Sequence, residues 1–194
     1  QYLRYRAEAW NIDPSHVGAW GGSAGGGCVM WTASVPDLAQ PEHADPVLRQ
    51  SSRLRVAGHS NGQVSYNILR WPELLDFDAE WMFALVDPKA VQLTHMSRQD
   101  LVGTPEGQEV LTVLDYYEHL SADDPPFMTS TASMDTPMGE IMRAGEVIHH
   151  VRGHHALYDR CQAVGMECAV KTPYRMVGFQ GDVIGFLISH LTPN

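Results

Sequence analysis

The chain has 194 residues, a length that suits one sizeable core and one domain. Its net charge of −10 speaks against a nucleic-acid partner, because phosphate binding needs clustered Lys and Arg. Apolar residues make up 44% and charged residues 19%, ordinary for a globular protein, and no apolar run approaches the roughly 18 residues of a membrane span. Cys28, Cys161 and Cys168 are odd in number and widely spaced, so no disulfide framework is legible and buried thiols are expected. Neither a CxxC nor a paired Cys/His spacing points to structural zinc.

In chain order, residues 1–10 have helical spacing in Leu3, Ala7 and Trp10, and Pro14 closes that segment. Residues 16–20 (HVGAW) are a short apolar run that reads as a buried strand. A glycine-rich turn follows, then a helix ending near Pro36. Residues 54–59 (LRVAGH) are a second strand. From about 61 to 122 the pattern is mostly helical, with Thr104 as a cap and Pro105 at a first helical position. Pro125-Pro126 leads into a third strand, PFMTSTAS. Residues 156–164 are helical, Gly165 is a C-terminal cap, and MECAVKT is a fourth strand. The last helix, DVIGFLISHL, has Val183, Phe186, Leu187, His190 and Leu191 on one face. Strands separated by helices predict an α/β fold, a mostly parallel sheet with flanking helices in a single domain over 1–194. The segment 61–122 is too long for a plain crossover and predicts a helical cap insertion.

A serine hydroxyl is a weak nucleophile unless a base takes its proton and the backbone exposes its oxygen. Gly21-Gly22-Ser23-Ala24-Gly25 is a GxSxG run between a predicted strand and a predicted helix, the context of a nucleophile elbow. Small residues at Gly21, Gly22 and Gly25 allow neighbouring backbone to come close. The helix start places positive dipole beneath Ser23, and the Ala24 N–H is a candidate oxyanion donor. A phosphate-cradling loop needs GxxxxGK[ST] or GxGxxG, and neither spacing occurs here.

With these residues in view, WNIDPSHVGAWGGSAGGG resembles the α/β-hydrolases of the hormone-sensitive-lipase and feruloyl-esterase-like groups, which often read N-x-D-P-x-R-[IV]-x-x-x-G-x-S-A-G-G. His16 stands where those enzymes usually carry Arg. The similarity is strong over about residues 8–60 and weaker beyond. It implies a partial α/β-hydrolase fold, hydrolysis of a small-molecule carboxylic ester without a cofactor, and Ser23 as nucleophile.

The order nucleophile, acid, histidine implied by the resemblance puts the acid after the third strand, at Asp135. Asp123 and Asp124 precede that strand and belong at its other end. The histidine is expected in a His-Gly-Phe run before the final helix, but the sequence there reads Met176-Val177-Gly178-Phe179, with Val177 in the slot. His149, His150, His154 and His155 remain, on a predicted loop after Asp135. His150 is the favoured base and His149 the alternative. Trp31, Trp71, Trp81, Phe83, Met82 and Met96 are candidates for an apolar acyl site, with packing in the core as the competing role.

Two other readings are open. The departure at Val177 favours a non-catalytic hydrolase-like protein that keeps the elbow for packing or binding. His150 and His154, four apart, can share a helix face and hold a metal, although Gly153 weakens a helix there and no carboxylate or Cys has ligand spacing. The resemblance also implies strands and a His-Gly-Gly-Gly oxyanion loop ahead of the nucleophile, which these residues do not include. An uncovered parallel edge invites pairing, so a homo-oligomer is expected. Sedimentation should therefore show a dimer or larger species; a stable monomer would contradict this.

Overall fold

The computed structural model describes residues 1–192. The N-terminal segment forms two short helices, α1 (Tyr2–Tyr5) and α2 (Ala7–Trp10), which meet at Arg6 instead of making the single helix predicted. Strand β1 (Gly18–Gly22) leads through Ser23 into helix α3 (Ala24–Ser34). Strand β2 (Val56–Ser60) is followed by a helical insertion: α4 (Trp71–Leu75), α5 (Ala79–Thr94), α6 (Arg98–Gly103), α7 (Pro105–Leu114) and α8 (Tyr116–His119). Then come β3 (Phe127–Ser130), α9 (Ala144–Ile148), α10 (Val151–Val164), β4 (Cys168–Lys171), the two-residue β5 (Met176–Val177) and α11 (Val183–Leu191).

Local chemistry explains most of these limits. Asp78 accepts from the Trp81 N–H to start α5, and Ser97 and Asp100 form a reciprocal capping box on α6. Thr104 accepts from the Gly107 N–H at 3.0 Å with Pro105 in the first turn of α7, as its sequence predicts. Gly165 closes α10 at φ 77°, a left-handed position that suits glycine. Helix α10 begins five residues earlier than its periodicity suggests and runs through Gly153. Tertiary packing outweighs the propensity cost there, because Gly153 lies against Val64 and Leu75.

The strands are ordered β1-β2-β3-β4-β5, parallel from β1 to β4, with β5 antiparallel to β4. Alternation separates two faces. Ala57, Phe127, Cys168 and Val170 join Met30 of α3 and Leu157 of α10 in the larger core. Val56, Met128 and Ala169 meet Val183, Phe186 and Leu187 of α11 on the other face. The insertion belongs to the larger core: Trp71, Leu75, Met82, Val86 and Tyr116 are all buried in it. Its base is fixed by buried Asp115, on which Ser65, Asn67 and Arg70 converge. Asp123 and Asp124 pair with Arg53 ahead of β2, at the N-terminal end of the sheet. Cys161 and Cys168 are buried thiols, but Cys28 is exposed, a correction that follows from its place on the outer side of α3. Among the described residues no helix is long and apolar enough to cross a membrane.

Beneath the first turn of α3 lies a polar relay. The Thr129 hydroxyl sits 2.6 Å from His59 Nε2 and 2.5 Å from His154 Nδ1, with all three side chains buried. One hydroxyl proton can serve only one of these contacts, so the other ring donates to Thr129. Burial pushes His59 down to about 3 and His154 well below the ordinary histidine range. Both rings therefore stay neutral in the folded protein and take up protons only on unfolding, below the ordinary value of 6.5. This contribution is complete above that value and is lost progressively as the pH falls toward 3. Urea unfolding at stepped pH should show that decline. Thr129→Val should lower the unfolding free energy by about 1–3 kcal/mol at neutral pH, since two buried ring nitrogens lose their partner; an unchanged midpoint would contradict it.

Candidate functional site

Ser23 has φ 49° and ψ −121°, a region that a residue with a side chain enters only when its surroundings compel it. Three contacts do so. The Ser23 N–H donates to the Ser60 carbonyl at the end of β2, and the Gly26 and Gly27 N–H groups donate to the Ser23 carbonyl at 2.9 and 3.2 Å. Gly21 supplies the close approach: a Cβ there would stand 2.3 Å from the Gly25 backbone. The two flanking glycines are not equivalent. A Cβ on Gly25 would meet nothing within 4 Å, so the last residue of the motif is not required for space. The result is an exposed serine at the corner between β1 and α3. The Ala24 N–H opens α3, where an amide has no partner within the helix.

Of the two candidate bases, His149 is the one beside the serine: its Nε2 lies 3.3 Å from Ser23 Oγ. It is the C-cap of α9, directly before the N-cap of α10. His150 turns the other way. As the N-cap of α10 it is buried, its Nε2 lies 3.1 Å from the Thr136 carbonyl, and its ring packs edge-on against Phe77. Asp135 stands by His150, not by His149. Its carboxylate is 3.8 Å from His150 Nε2 and takes a 2.7 Å ion pair from Arg152. The structure thus brings Asp135 and His150 near each other and Ser23 and His149 together, as two separate pairs. Adjacent residues at a helix start project in different directions, which sequence order does not reveal.

The histidine cluster does not converge. His154 joins Thr129, His155 faces the Thr172 hydroxyl at 3.0 Å, and among the described residues no group of three His, Cys, Asp or Glu can hold a metal ion. Val177 is exposed in β5, paired with Val170. His190 is engaged by Glu167 and the Phe186 carbonyl within and beside α11.

Two contributors were not singled out in the sequence. Gln63 directs its side-chain amide at His149 Nδ1, 3.5 Å away, and Tyr66 donates its hydroxyl to the Ala24 carbonyl at 2.8 Å. A signal for Gln63 existed: Asn61-Gly62 is a turn dipeptide just after a predicted strand, which puts the next residue at the same sheet end as Ser23. Next to Ala24 an apolar cavity of about 150 Å³ is lined by Tyr66, Ile68, Trp71, Val86, Leu93 and Ile148, with Gln63 and Lys89 as polar members. Of the aromatic and Met residues proposed for an acyl site, Trp71 lines it; Trp31 instead donates to the Val113 carbonyl, and Met82 is sealed in the core.

No protein-family model and no curated protein matches the chain. Solved structures do. An acetyl ester-xyloside bifunctional hydrolase from Caldicellulosiruptor lactoaceticus superposes with TM-score 0.61 at 19% identity, over 88% of this chain and 50% of that one. A truncated carbohydrate esterase from gut microbiota gives 0.62 at 17%, over 99% and 65%. A bifunctional GH43-CE protein from Bacteroides eggerthii gives 0.59 at 15%, over 98% and 25%. The chain spans between 25% and 65% of the length of these proteins. The five-stranded, mostly parallel sheet with flanking helices matches part of the α/β-hydrolase fold. Within this α/β-hydrolase frame Ser23 follows β1, Gln63 follows β2 and His149 lies on the connection after β3, so all three gather at the C-terminal edge of the parallel strands.

Burial lowers the His149 pKa, opposed in part by the Asn61 backbone carbonyl. The ring is therefore neutral, and able to accept a proton, at neutral pH. An NMR titration of the His149 ring should give a midpoint below the ordinary 6.5; a midpoint at or above that value would contradict it.

Proposed function

We propose that this chain carries the nucleophile and base of a serine hydrolase of carboxylic esters. What supports the reading most is the left-handed Ser23, exposed at the elbow with its Oγ 3.3 Å from a half-buried His149 Nε2. In this reading Ser23 Oγ attacks the ester carbonyl carbon while His149 Nε2 takes the hydroxyl proton. The carbonyl electron pair moves onto oxygen, where the Ala24 N–H donates to it. His149 then passes its proton to the leaving alcohol, and a water activated by the same ring releases the acyl group. The apolar cavity beside Ala24 suits a short acyl or aryl group, since it is small and has few polar members. The neighbours' names, an acetyl ester hydrolase and a carbohydrate esterase, favour a small acyl ester carried on a sugar as the substrate class.

The rival reading is a non-catalytic hydrolase-like protein. One observation favours it: His149 has no carboxylate among its hydrogen-bond partners in the described residues. A fluorophosphonate probe and a p-nitrophenyl acetate assay separate the two. The wild type should be labelled at Ser23 and hydrolyse the ester, and Ser23→Ala should lose both. His149→Ala should lower kcat on the order of 10² or more, the typical share of a general base, while His150→Ala should leave the labelling rate of Ser23 much nearer the wild type. Equal hydrolysis by wild type and Ser23→Ala would overturn the proposal.

A further inference from the structure

His149 accepts a proton from Ser23 only when Nε2 carries a lone pair, which requires the neutral ring to hold its proton on Nδ1. The side chain that faces Nδ1 is the amide of Gln63, placed with its Nε2 3.5 Å away; turning this amide over exchanges two atoms of almost equal shape. Gln63 is 5% exposed, and its Oε1 has no hydrogen-bond partner among the described residues. An amide offers a donor and an acceptor of almost the same shape, so its two orientations have opposite consequences for the ring. With the NH₂ group toward Nδ1, the ring must carry its proton on Nε2 and presents a donor to Ser23. With Oε1 toward Nδ1, the unpartnered oxygen gains a donor and the Nε2 lone pair faces the serine. The second orientation gives that acceptor a partner and moves the NH₂ group to the position Oε1 leaves; what favours it is that it alone presents a lone pair to the serine.

The backbone around Gln63 is rigid enough for such a role. Its carbonyl accepts from the buried Tyr116 hydroxyl at 2.9 Å. The preceding turn is tied to β3: the Asn61 N–H donates to the Ser130 carbonyl at 2.7 Å, and the Thr131 hydroxyl donates to Asn61 Oδ1 at 2.6 Å.

Resting on the hydrolase reading, we propose that Gln63 is the positioning residue of this site: its Oε1 accepts the Nδ1 proton of His149 and holds Nε2 as the proton acceptor for Ser23. The amide occupies the place that a carboxylate holds in a Ser-His-Asp arrangement. As Oγ bonds to the acyl carbon, the hydroxyl proton moves to Nε2, and the Nδ1–H remains on Oε1 throughout. A neutral amide orients the ring without compensating the positive charge it acquires. The titratable groups facing the ring from packed elements are His59 of β2 and His154 of α10, both held neutral by burial. Lys89 of α5 lies on the cavity wall, and Asp135 is occupied by Arg152.

The experiment compares wild type, Gln63→Leu and Gln63→Glu. ¹⁵N NMR, with His149→Gln used to assign the signals, reads the ring tautomer; p-nitrophenyl acetate turnover and fluorophosphonate labelling read the chemistry. The wild type should hold Nδ1–H at neutral pH. Gln63→Leu should move His149 toward Nε2–H and lower kcat on the order of tenfold or more, with KM within about twofold of the wild type. Gln63→Glu should retain Nδ1–H, raise the ring's titration midpoint and move the acid limb of kcat/KM to higher pH. A wild type with Nε2–H, or a Gln63→Leu variant matching it in tautomer and kcat, would overturn the inference. The hydrolase reading fails separately: a Ser23 that resists the probe while the tautomer still follows Gln63 removes the chemistry and leaves the ring's positioning in place. A labelled Ser23 with a tautomer indifferent to Gln63 does the reverse.

Discussion

The site depends on one backbone conformation, the positive φ of Ser23. Holding a residue with a side chain there costs about 1–3 kcal/mol, and it persists only because the surroundings leave no alternative. β2 receives the Ser23 N–H, the first turn of α3 receives its carbonyl, and Gly21 lets the two segments come within contact distance of the Gly25 backbone. Strand, corner and helix thus aim the hydroxyl outward while the turn's amides stay paired or free for a ligand. The same helix start rests on a polar floor, since His59 lies directly under Gly26. A Cβ at Gly26 would stand 2.8 Å from the His59 Cβ, so the floor and the elbow constrain each other.

The imidazole of His149 is arranged differently from the Ser23 hydroxyl. Ser23 is positioned by its own backbone, whereas His149 is positioned by a junction between two helices and by the loop after β2. Burial favours the neutral ring, which suits proton acceptance at neutral pH. The nearby carboxylate, Asp135, is diverted: Arg152 takes it and His150 stands beside it. An ion pair of that kind at a half-exposed position adds little stability, but it fixes the start of α10 and hence the path of the preceding residue. Arg152 also donates to the Leu75 carbonyl at the end of α4, tying α10 to the insertion.

The insertion between β2 and β3 therefore does two things at once. Its buried residues complete the larger core, and its inner surface supplies the cavity wall next to Ala24. Tyr66 bridges both, with its hydroxyl on the Ala24 carbonyl and its ring edge-on against Tyr116. Since the cavity is built from the segment packed on the core, its shape is coupled to the stability of the domain.

Much of the fold was legible from the chain alone, and for local reasons. The four parallel strands are short apolar runs bounded by Gly, Pro or charged residues, and the elbow is a contiguous pattern in which each glycine neighbours the residue it serves. Caps such as Thr104, and the turn at Gly165, are equally local. What the sequence could not decide were matters of direction between distant segments. His149 and His150 differ by one position, yet one ring meets Ser23, 126 residues away in sequence, and the other is closed off against Phe77 and Thr136. Asp135 has the place in chain order that the resemblance implies, but Arg152 in the first turn of α10 captures it. Gln63 carries no charge and no motif, so only its burial against Nδ1 distinguishes it from any other loop glutamine. The chain by itself determined which serine is lifted and on which type of bend; packing of the helical insertion and of α10 decided which imidazole and which amide come to it, because those contacts exist only once distant segments share a core.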